Sequence, residues 1–383
     1  MLRTLILPSW YPNLMKPDFA PYVRAQAESM SRCGIDVTVL YTAPYSLKWI
    51  LLTRKILIGR REKTNELLRE IVCYVPKTHI KPLDTFIRNV LGKHEIRRLE
   101  RRGVSFELIH VHTYEAAQLG KWYSRRSRIP MVITEHYTGF ARGILGKREM
   151  RTAIKGFHDA DVRLAVSQPF ADLLFRLTNT CFEVLPNFID TTFFSPDKNG
   201  AVFEYDFLAV GHLLPKKNHR LLIESFSCLA PLKHDYHLAL VGEGISRIDL
   251  EKTIRALGLE KNVHLLGFQN SIGVRDALRR SRIYCMPSLF ETFGIAVIEA
   301  MAVGLPAVVT SSGGPETIVE HGKTGFIAES TVQGYSNALQ AALDWEWNRD
   351  AIRQRTIELY SEQTVMLRLQ SIYSEAIRQH IML

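Results

Sequence analysis

At 383 residues the chain is longer than one ordinary core and fits two domains of roughly 100–200 residues each. Its 46% hydrophobic and 10% aromatic content fits a soluble globular protein, and no apolar run approaches the roughly 20 residues needed to cross a bilayer. The net charge of +10 is lopsided: residues 1–195 hold 30 Lys and Arg against 18 Asp and Glu, whereas residues 196–383 hold 19 against 21.

The first residues, 2–7, read as a short strand, because polar chain follows too soon for a signal peptide. A helix over 20–33 stops at Gly34, and strands follow at 36–41, 108–112, 131–134, 162–166 and 182–185. Residues 48–102 carry 15 cations and six carboxylates, and 45–58 interleave Trp49 and aliphatics with Lys and Arg. Two readings stand for this stretch and for a second basic cluster at 121–128: an interfacial surface for anionic lipid, or the solvated faces of packed helices. No nucleic-acid recognition motif accompanies the charge.

The second half restarts the rhythm with strands at 206–210, 237–241, 263–265, 283–286 and 307–310, each followed by a helical pattern. Strands alternating with helices predict parallel β-α-β units and hence an α/β chain of two doubly wound domains. The boundary falls at 1–185 and 186–363, with an amphipathic helix at about 364–383 expected to pack back on the first domain. The five cysteines lack any C-x-x-C spacing and read as reduced thiols, which suggests the cytoplasm.

Ligands of open α/β sheets bind beyond the carboxyl ends of the strands. After the strand at 206–210 come Gly211, His212, Lys216 and Lys217, a glycine for close backbone approach and cations for phosphate oxygens. Gly242 and Gly244 end the next strand but lack the full G-x-G-x-x-G and its acidic partner, which argues against a nicotinamide cofactor. Then Glu291 and Glu299 stand eight positions apart, one before a glycine turn and one on an apolar helix. Carboxylates beside a phosphate site suit the hydroxyls of a ribose and a sugar. His110 and His112 share a strand face, with no further ligands arranged for a metal.

The ordered series Gly211 to Lys217, Val263 to Phe268, Glu291-Thr292-Phe293-Gly294-Ile295 through Glu299, then Gly313-Gly314 and Gly325, resembles the retaining GT-B glycosyltransferases of family GT4. The resemblance implies two Rossmann-like domains facing a central cleft, and a nucleotide-diphosphate sugar (UDP- or GDP-linked) as co-substrate, with no metal or other cofactor. It places Glu291, Lys217 and His112 in the chemistry. Gly211, His212, Lys216, Gly242, Gly244, Phe268, Phe293, Gly294, Ile295 and Glu299 would bind the donor. His212 departs from the family's arginine, and a neutral imidazole does not clamp phosphate as a guanidinium does.

Residues 8–26 resemble the N-terminal loop of GT4 enzymes of surface-polysaccharide assembly, placing Trp10, Tyr11, Ala20 and His136 on the acceptor side. Ala20 stands where the family commonly has glycine. Trp10 and Tyr11 either stack on acceptor sugars or cap the core; Phe268 either lies near the base or packs internally. The expected function is transfer of a hexosyl or N-acetylhexosaminyl unit to a lipid-linked or growing lipopolysaccharide, capsule or exopolysaccharide acceptor, by a cytoplasmic enzyme peripheral on the inner membrane face. The alternatives are a non-catalytic carbohydrate- or membrane-binding protein and a sugar-nucleotide epimerase of similar fold.

Overall fold

The computed structural model describes residues 1–17, 19–46, 59–197, 202–229 and 236–382. Most of the basic stretch 45–58, Trp49 included, lies outside the described residues. The chain divides into two compact units: Met1–Ala165 with Ala171–Leu185 and Met366–Leu383, and Val166–Phe170 with Pro186–Val365.

In the first unit, β1 (Arg3–Pro8), β2 (Asp36–Tyr45), β3 (Gly59–Asn65), β4 (Leu68–Pro76), β5 (Leu108–His112), β6 (Met131–Glu135), β7 (Val162–Ala165) and β8 (Glu183–Val184) form one sheet. Its order is β3-β4-β2-β1-β5-β6-β7-β8. All neighbours run parallel except β3, which returns antiparallel along β4. Every residue of β5 and β6 is buried. A parallel strand is covered on both faces, so even His110, His112, Thr134 and Glu135 of these two strands are enclosed.

The helices of this unit are α1 (Pro21–Arg32), α2 (Lys81–Arg101), α3 (Ala117–Ser127), α4 (Lys147–His158) and α5 (Gln168–Thr178), whose first residues belong to the second unit. Strands β3 and β4 were not among the expected elements. Strand β3 is Gly-Arg-Arg-Glu-Lys-Thr-Asn, almost wholly exposed, so it has no apolar signal; its charge suits a sheet edge.

The second unit contains β9 (Tyr205–Val210), β10 (Leu238–Val241), β11 (Val263–Gly267), β12 (Ser281–Met286), β13 (Ala307–Thr310) and β14 (Gly325–Ala328). They are all parallel, in the order β11-β10-β9-β12-β13-β14. Around them lie α6 (His219–Ser227), α7 (Arg247–Ala256), α8 (Ser271–Arg279), α9 (Ile295–Ala302), α10 (Pro315–Ile318), α11 (Val332–Asp344) and α12 (Arg349–Tyr360). One face of the sheet packs Phe207, Leu240 and Ile283 on Leu222, Ile223 and Phe226 of α6 and Tyr335 and Leu339 of α11.

Helix α13 (Glu362–Met382) starts in the second unit and belongs to the first from Met366 onward. There Tyr373 Oη lies 2.6 Å from His110 Nδ1, and Arg368 donates to the Val184 carbonyl at 2.9 Å. No described helix is long and apolar enough to cross a membrane.

Of the second basic cluster, Lys121 pairs with Asp159 and Arg126 with Glu100, while Lys93 and Arg97 lie over the Trp122 ring. That part of the cluster serves helix packing.

Both sheets reverse their winding direction once, between β1 and β5 in the first and between β9 and β12 in the second. A doubly wound sheet opens a crevice at that point, beyond the strand ends. In the first sheet the crevice is bounded by the chain after Pro8 and after His112, which are register partners. In the second it is bounded by the loops after Val210 and Met286.

Ala20, the residue before α1, adopts φ 53° and ψ 54°. Left-handed backbone costs a non-glycine residue about 1–2 kcal/mol, whereas glycine loses about 0.4–1 kcal/mol more chain entropy on folding. The strain is the larger effect. Ala20→Gly should therefore raise the urea midpoint of the first unit, corresponding to roughly 0.5–1 kcal/mol; a lowered midpoint would show the turn to be unstrained.

Candidate functional site

In the second unit, strand β9 delivers Gly211 and the exposed His212, and a single 3-10 turn, Pro215–Lys217, leads through Asn218 into α6. This loop is packed backbone to backbone on the one after β10. A Cβ at Gly242 would lie 2.0 Å from the Gly211 carbonyl oxygen, and one at Gly244 2.3 Å from that of Leu213. Only glycine fits such an approach.

Across the crevice, Leu289 N donates to the Lys216 carbonyl at 2.8 Å, and Lys217 Nζ lies 2.5 Å from Glu291 Oε2. The two loops at the winding reversal are thus joined by one backbone bond and one ion pair. Burial opposes ionisation of Glu291, but the Lys217 ammonium, its hydrogen bond and Lys216 outweigh it and hold the carboxyl below its ordinary range.

Gly294 sits at φ 112°, a turn that favours glycine, and starts α9. That helix buries Val297, Ile298, Ala300, Met301 and Ala302. Glu299 is its half-buried polar exception, and burial pushes its pKa up to about 7. Burial raises the pKa of the Tyr284 phenol on β12, and the charges of Glu299 and then Glu291 add to that rise. Phe293 is buried against Tyr360, with ring centroids 5.7 Å apart. Ile295 is half-buried, and Phe268 stands 58% exposed just after β11, outside the core.

Three supporting residues carried no sequence signal of their own. Glu316 accepts from Ser312 N and Gly313 N at 2.8–3.1 Å, fixing the glycine turn against residues 291–293. Ser167 Oγ lies 2.8 Å from the Thr292 carbonyl and 3.0 Å from that of Gly313. His219 is buried behind Lys217, and burial followed by that lysine lowers its pKa to about 4. All three act on backbone or through burial, which residue type and spacing do not advertise.

In the first unit, the ends of β5 and β6 bring three histidines into a row. His110 and His112 stack with centroids 4.3 Å apart, and His112 Nδ1 lies 3.1 Å from His136 Nε2. His110 is also held by Thr134 Oγ1 at 2.7 Å. Burial drives all three toward the neutral form, His112 down to about 3. His112 Nε2 is buried with no hydrogen-bond partner among the described residues.

The next residue, Thr113, sits at φ 66° and ψ 150°, a strained backbone of the kind found at functional sites. Glu135 secures this turn by accepting from Tyr114 N, His136 N and Tyr137 N at 2.9–3.0 Å. Burial nevertheless lifts its pKa to about 7.

Trp10 is half-buried and meets Tyr137 edge-on at 5.1 Å. Tyr11 departs from the acceptor-facing expectation. It is 1% exposed, donates to Glu70 Oε1 at 2.6 Å, and its neighbour Arg24 holds the other oxygen of Glu70 at 3.2 Å. A ring so enclosed has no face for a sugar, so Tyr11 caps the core. No group of three or more His, Cys, Asp or Glu is arranged to hold a metal among the described residues.

Two family models divide the chain between them. Glycosyltransferase Family 4 matches residues 20–193 and Glycosyl transferases group 1 matches residues 192–359. The chain belongs to the GT4-type glycosyltransferases. It is 26% identical over 298 residues to a mannosylfructose-phosphate synthase of Agrobacterium fabrum, covering 67% of this chain and 64% of that protein.

It is also 26% identical over 268 residues to an Escherichia coli UDP-Gal:alpha-D-GlcNAc-diphosphoundecaprenol alpha-1,3-galactosyltransferase, covering 62% of this chain and 67% of that protein. The Anabaena HepE protein in complex with UDP shares its fold at a TM-score of 0.73 and 17% identity, covering 98% of this chain and 100% of that one. The fold of this glycosyltransferase is GT-B.

Glu299 provides a test of the second unit's crevice that needs no substrate. Its folded pKa lies above the ordinary 4.5, so the folded state holds a proton that the unfolded chain releases. That stabilisation is complete below about pH 4.5 and is lost as pH rises through about 7. Glu299→Gln should match the wild type near pH 5 and become the more stable of the two toward pH 8, read by urea unfolding. A difference independent of pH would place the carboxylate in water.

Proposed function

We propose that this glycosyltransferase moves a hexosyl or N-acetylhexosaminyl unit from a nucleotide-diphosphate sugar, with retention of anomeric configuration, to a lipid-linked or growing surface-polysaccharide acceptor. The observation that carries the donor reading is the Lys217–Glu291 pair at the winding reversal of the second sheet, with Glu299 on the helix that follows it. A cation there suits phosphate, and the two carboxylates suit hydroxyl groups. The UDP bound in HepE and the UDP-Gal named for the E. coli relative support a nucleotide donor.

In this reading Lys217, Lys216 and His212 meet the diphosphate, Gly211, Gly242 and Gly244 let it approach the backbone, and Phe293, Gly294 and Ile295 present amides to the distal phosphate and sugar. Glu299 takes the ribose, Glu291 the sugar hydroxyls, and the exposed Phe268 the base. His112 offers Nε2 to the transferred sugar. As a neutral imidazole it orients by hydrogen bonding without adding charge.

The bond from the anomeric carbon to phosphate breaks as the bond to the acceptor oxygen forms on the same face. The acceptor's proton passes to the departing phosphate oxygen. The protein's share is stabilising the leaving diphosphate and positioning both substrates, without a metal.

The diphosphoundecaprenol in the E. coli relative's name supports a lipid-linked acceptor, and Trp10, Ala20 and His136 remain the acceptor-side residues. Docking on an anionic bilayer from the cytoplasmic side accords with the basic first half. It also accords with an exposed apolar row on and before α2, where Ile80 is 60%, Phe86 64% and Val90 46% exposed. Exposed Lys77, Arg97 and Arg101 flank that row, the composition of an interfacial surface.

Two measurements test these readings. Glu291→Ala should lower transfer from a UDP- or GDP-sugar by about 10²-fold or more, the scale of losing one transition-state contact, while leaving circular dichroism unchanged. Unaltered transfer would remove Glu291 from the site, and an inverted product anomer would end the same-face mechanism. Flotation with phosphatidylglycerol vesicles should fall as salt rises and fall again in Phe86→Glu. Salt-independent flotation would exclude the electrostatic component.

A further inference from the structure

Lys217 and Glu291 are assigned to different parts of the donor, yet without donor they hold each other. Their side chains are only 17% and 14% exposed. The ammonium lies 3.9 Å from where a Cβ of Gly211 would stand, over the glycine where a phosphate would approach the chain. A phosphate arriving there competes with Glu291 for the same ammonium.

Opening the pair leaves a buried carboxylate without its cation, which is costly unless another donor takes over. We infer that the Lys217–Glu291 pair is a selectivity latch, which favours a sugar-bearing nucleotide diphosphate over the bare nucleotide diphosphate because only the sugar's hydroxyls can replace Lys217 at Glu291. The inference rests on the donor reading above and adds to it a means of product release.

The charges work in the same direction. A bare diphosphate carries one more ionisable oxygen than its sugar ester, and that oxygen would lie near Glu291. Like charges at such range repel. The sugar ester lacks that oxygen and brings neutral O–H donors to the carboxylate instead.

After transfer, the hydroxyls depart with the sugar. Glu291 then recaptures Lys217, and the diphosphate loses its cation. The backbone bond from Leu289 N to the Lys216 carbonyl keeps the two loops together throughout, so closing the latch requires only side-chain movement.

The test is calorimetric titration of wild type and Glu291→Gln with UDP, GDP, UDP-glucose, GDP-mannose and inorganic pyrophosphate. Gln keeps the shape and removes the charge, so Lys217 is released. The variant should bind the bare diphosphate of the accepted base about tenfold more tightly than wild type, corresponding to roughly 1.4 kcal/mol. The preference for sugar ester over bare diphosphate should shrink by at least as much. Pyrophosphate should follow the same trend without a base.

Glu291→Asp, with a shorter arm and a looser pair, should fall between the two and stands in if the Gln variant does not fold. Equal or weaker binding of the bare diphosphate by the Gln variant would overturn the latch and make Glu291 a residue that orients Lys217. Binding of none of the nucleotides by the wild type would overturn the donor reading, and the latch with it.

Discussion

The charge of the second unit's crevice depends on one ion pair, that of Lys217 with Glu291. Sheet winding alone opens a crevice between the loops after β9 and β12, but it does not fix what faces the opening. The ion pair and the adjacent Leu289–Lys216 backbone bond do, by tying the two loops together. Around them the chain is held by contacts that tolerate little change. Gly242 and Gly244 pack on the carbonyls of Gly211 and Leu213, and a Cβ at Gly314 would lie 2.5 Å from Phe293 backbone. Glu316 and Ser167 fasten the remaining backbone. Glu291 stays ionised in this setting because the nearby lysines outweigh its burial. The charge of the site is therefore a property of the pair.

The row of histidines in the first unit solves the opposite problem. His110, His112 and His136 are packed among apolar strands and ring faces, and burial keeps them neutral. A protonated imidazole there would lack a carboxylate partner in the row. What the row provides is direction. Tyr373 and Thr134 hold the two ring nitrogens of His110, and His136 holds Nδ1 of His112, leaving Nε2 unpartnered among the described residues. One of these supports comes from α13, more than 260 residues away in sequence. The last helix thus acts on the orientation of the row as well as on packing.

Much of the fold was legible because parallel strands buried on both faces leave short runs dominated by apolar residues, as in Leu5–Leu7 of β1 and Ala307–Val309 of β13. Strand β3 was not, since a glycine and six polar residues at an edge carry no such pattern. The loops that border the second unit's crevice were legible because glycines, lysines and glutamates stand directly after strand ends. The ion pair was not. Lys217 and Glu291 are 74 residues apart, and their pairing follows from which strands neighbour each other at the reversal. Tyr11 misled because an aromatic after a strand end looks the same whether it faces solvent or a buried carboxylate. The partner that decides it, Glu70, comes from β4, which was not among the expected strands. Ala20 shows the converse case: a residue type that argues against a left-handed turn adopts one because the loop before α1 requires it.

Charge is distributed on two scales that do different work. Residues 1–195 carry a net +12, yet their buried row of side chains is neutral. Residues 196–383 carry a net −2, yet their crevice presents Lys216 and Lys217. The overall charge of the second half therefore does not draw in an anion, and any phosphate captured there must be held locally, within about a Debye length of roughly 8–10 Å. A local cation already neutralised by Glu291 attracts anions less than a free one. Such a site trades affinity for discrimination. If the inferred latch holds, the crevice resists phosphates in general and yields to one that brings a replacement for Lys217, so that the carboxylate, rather than the lysine, would decide what it accepts.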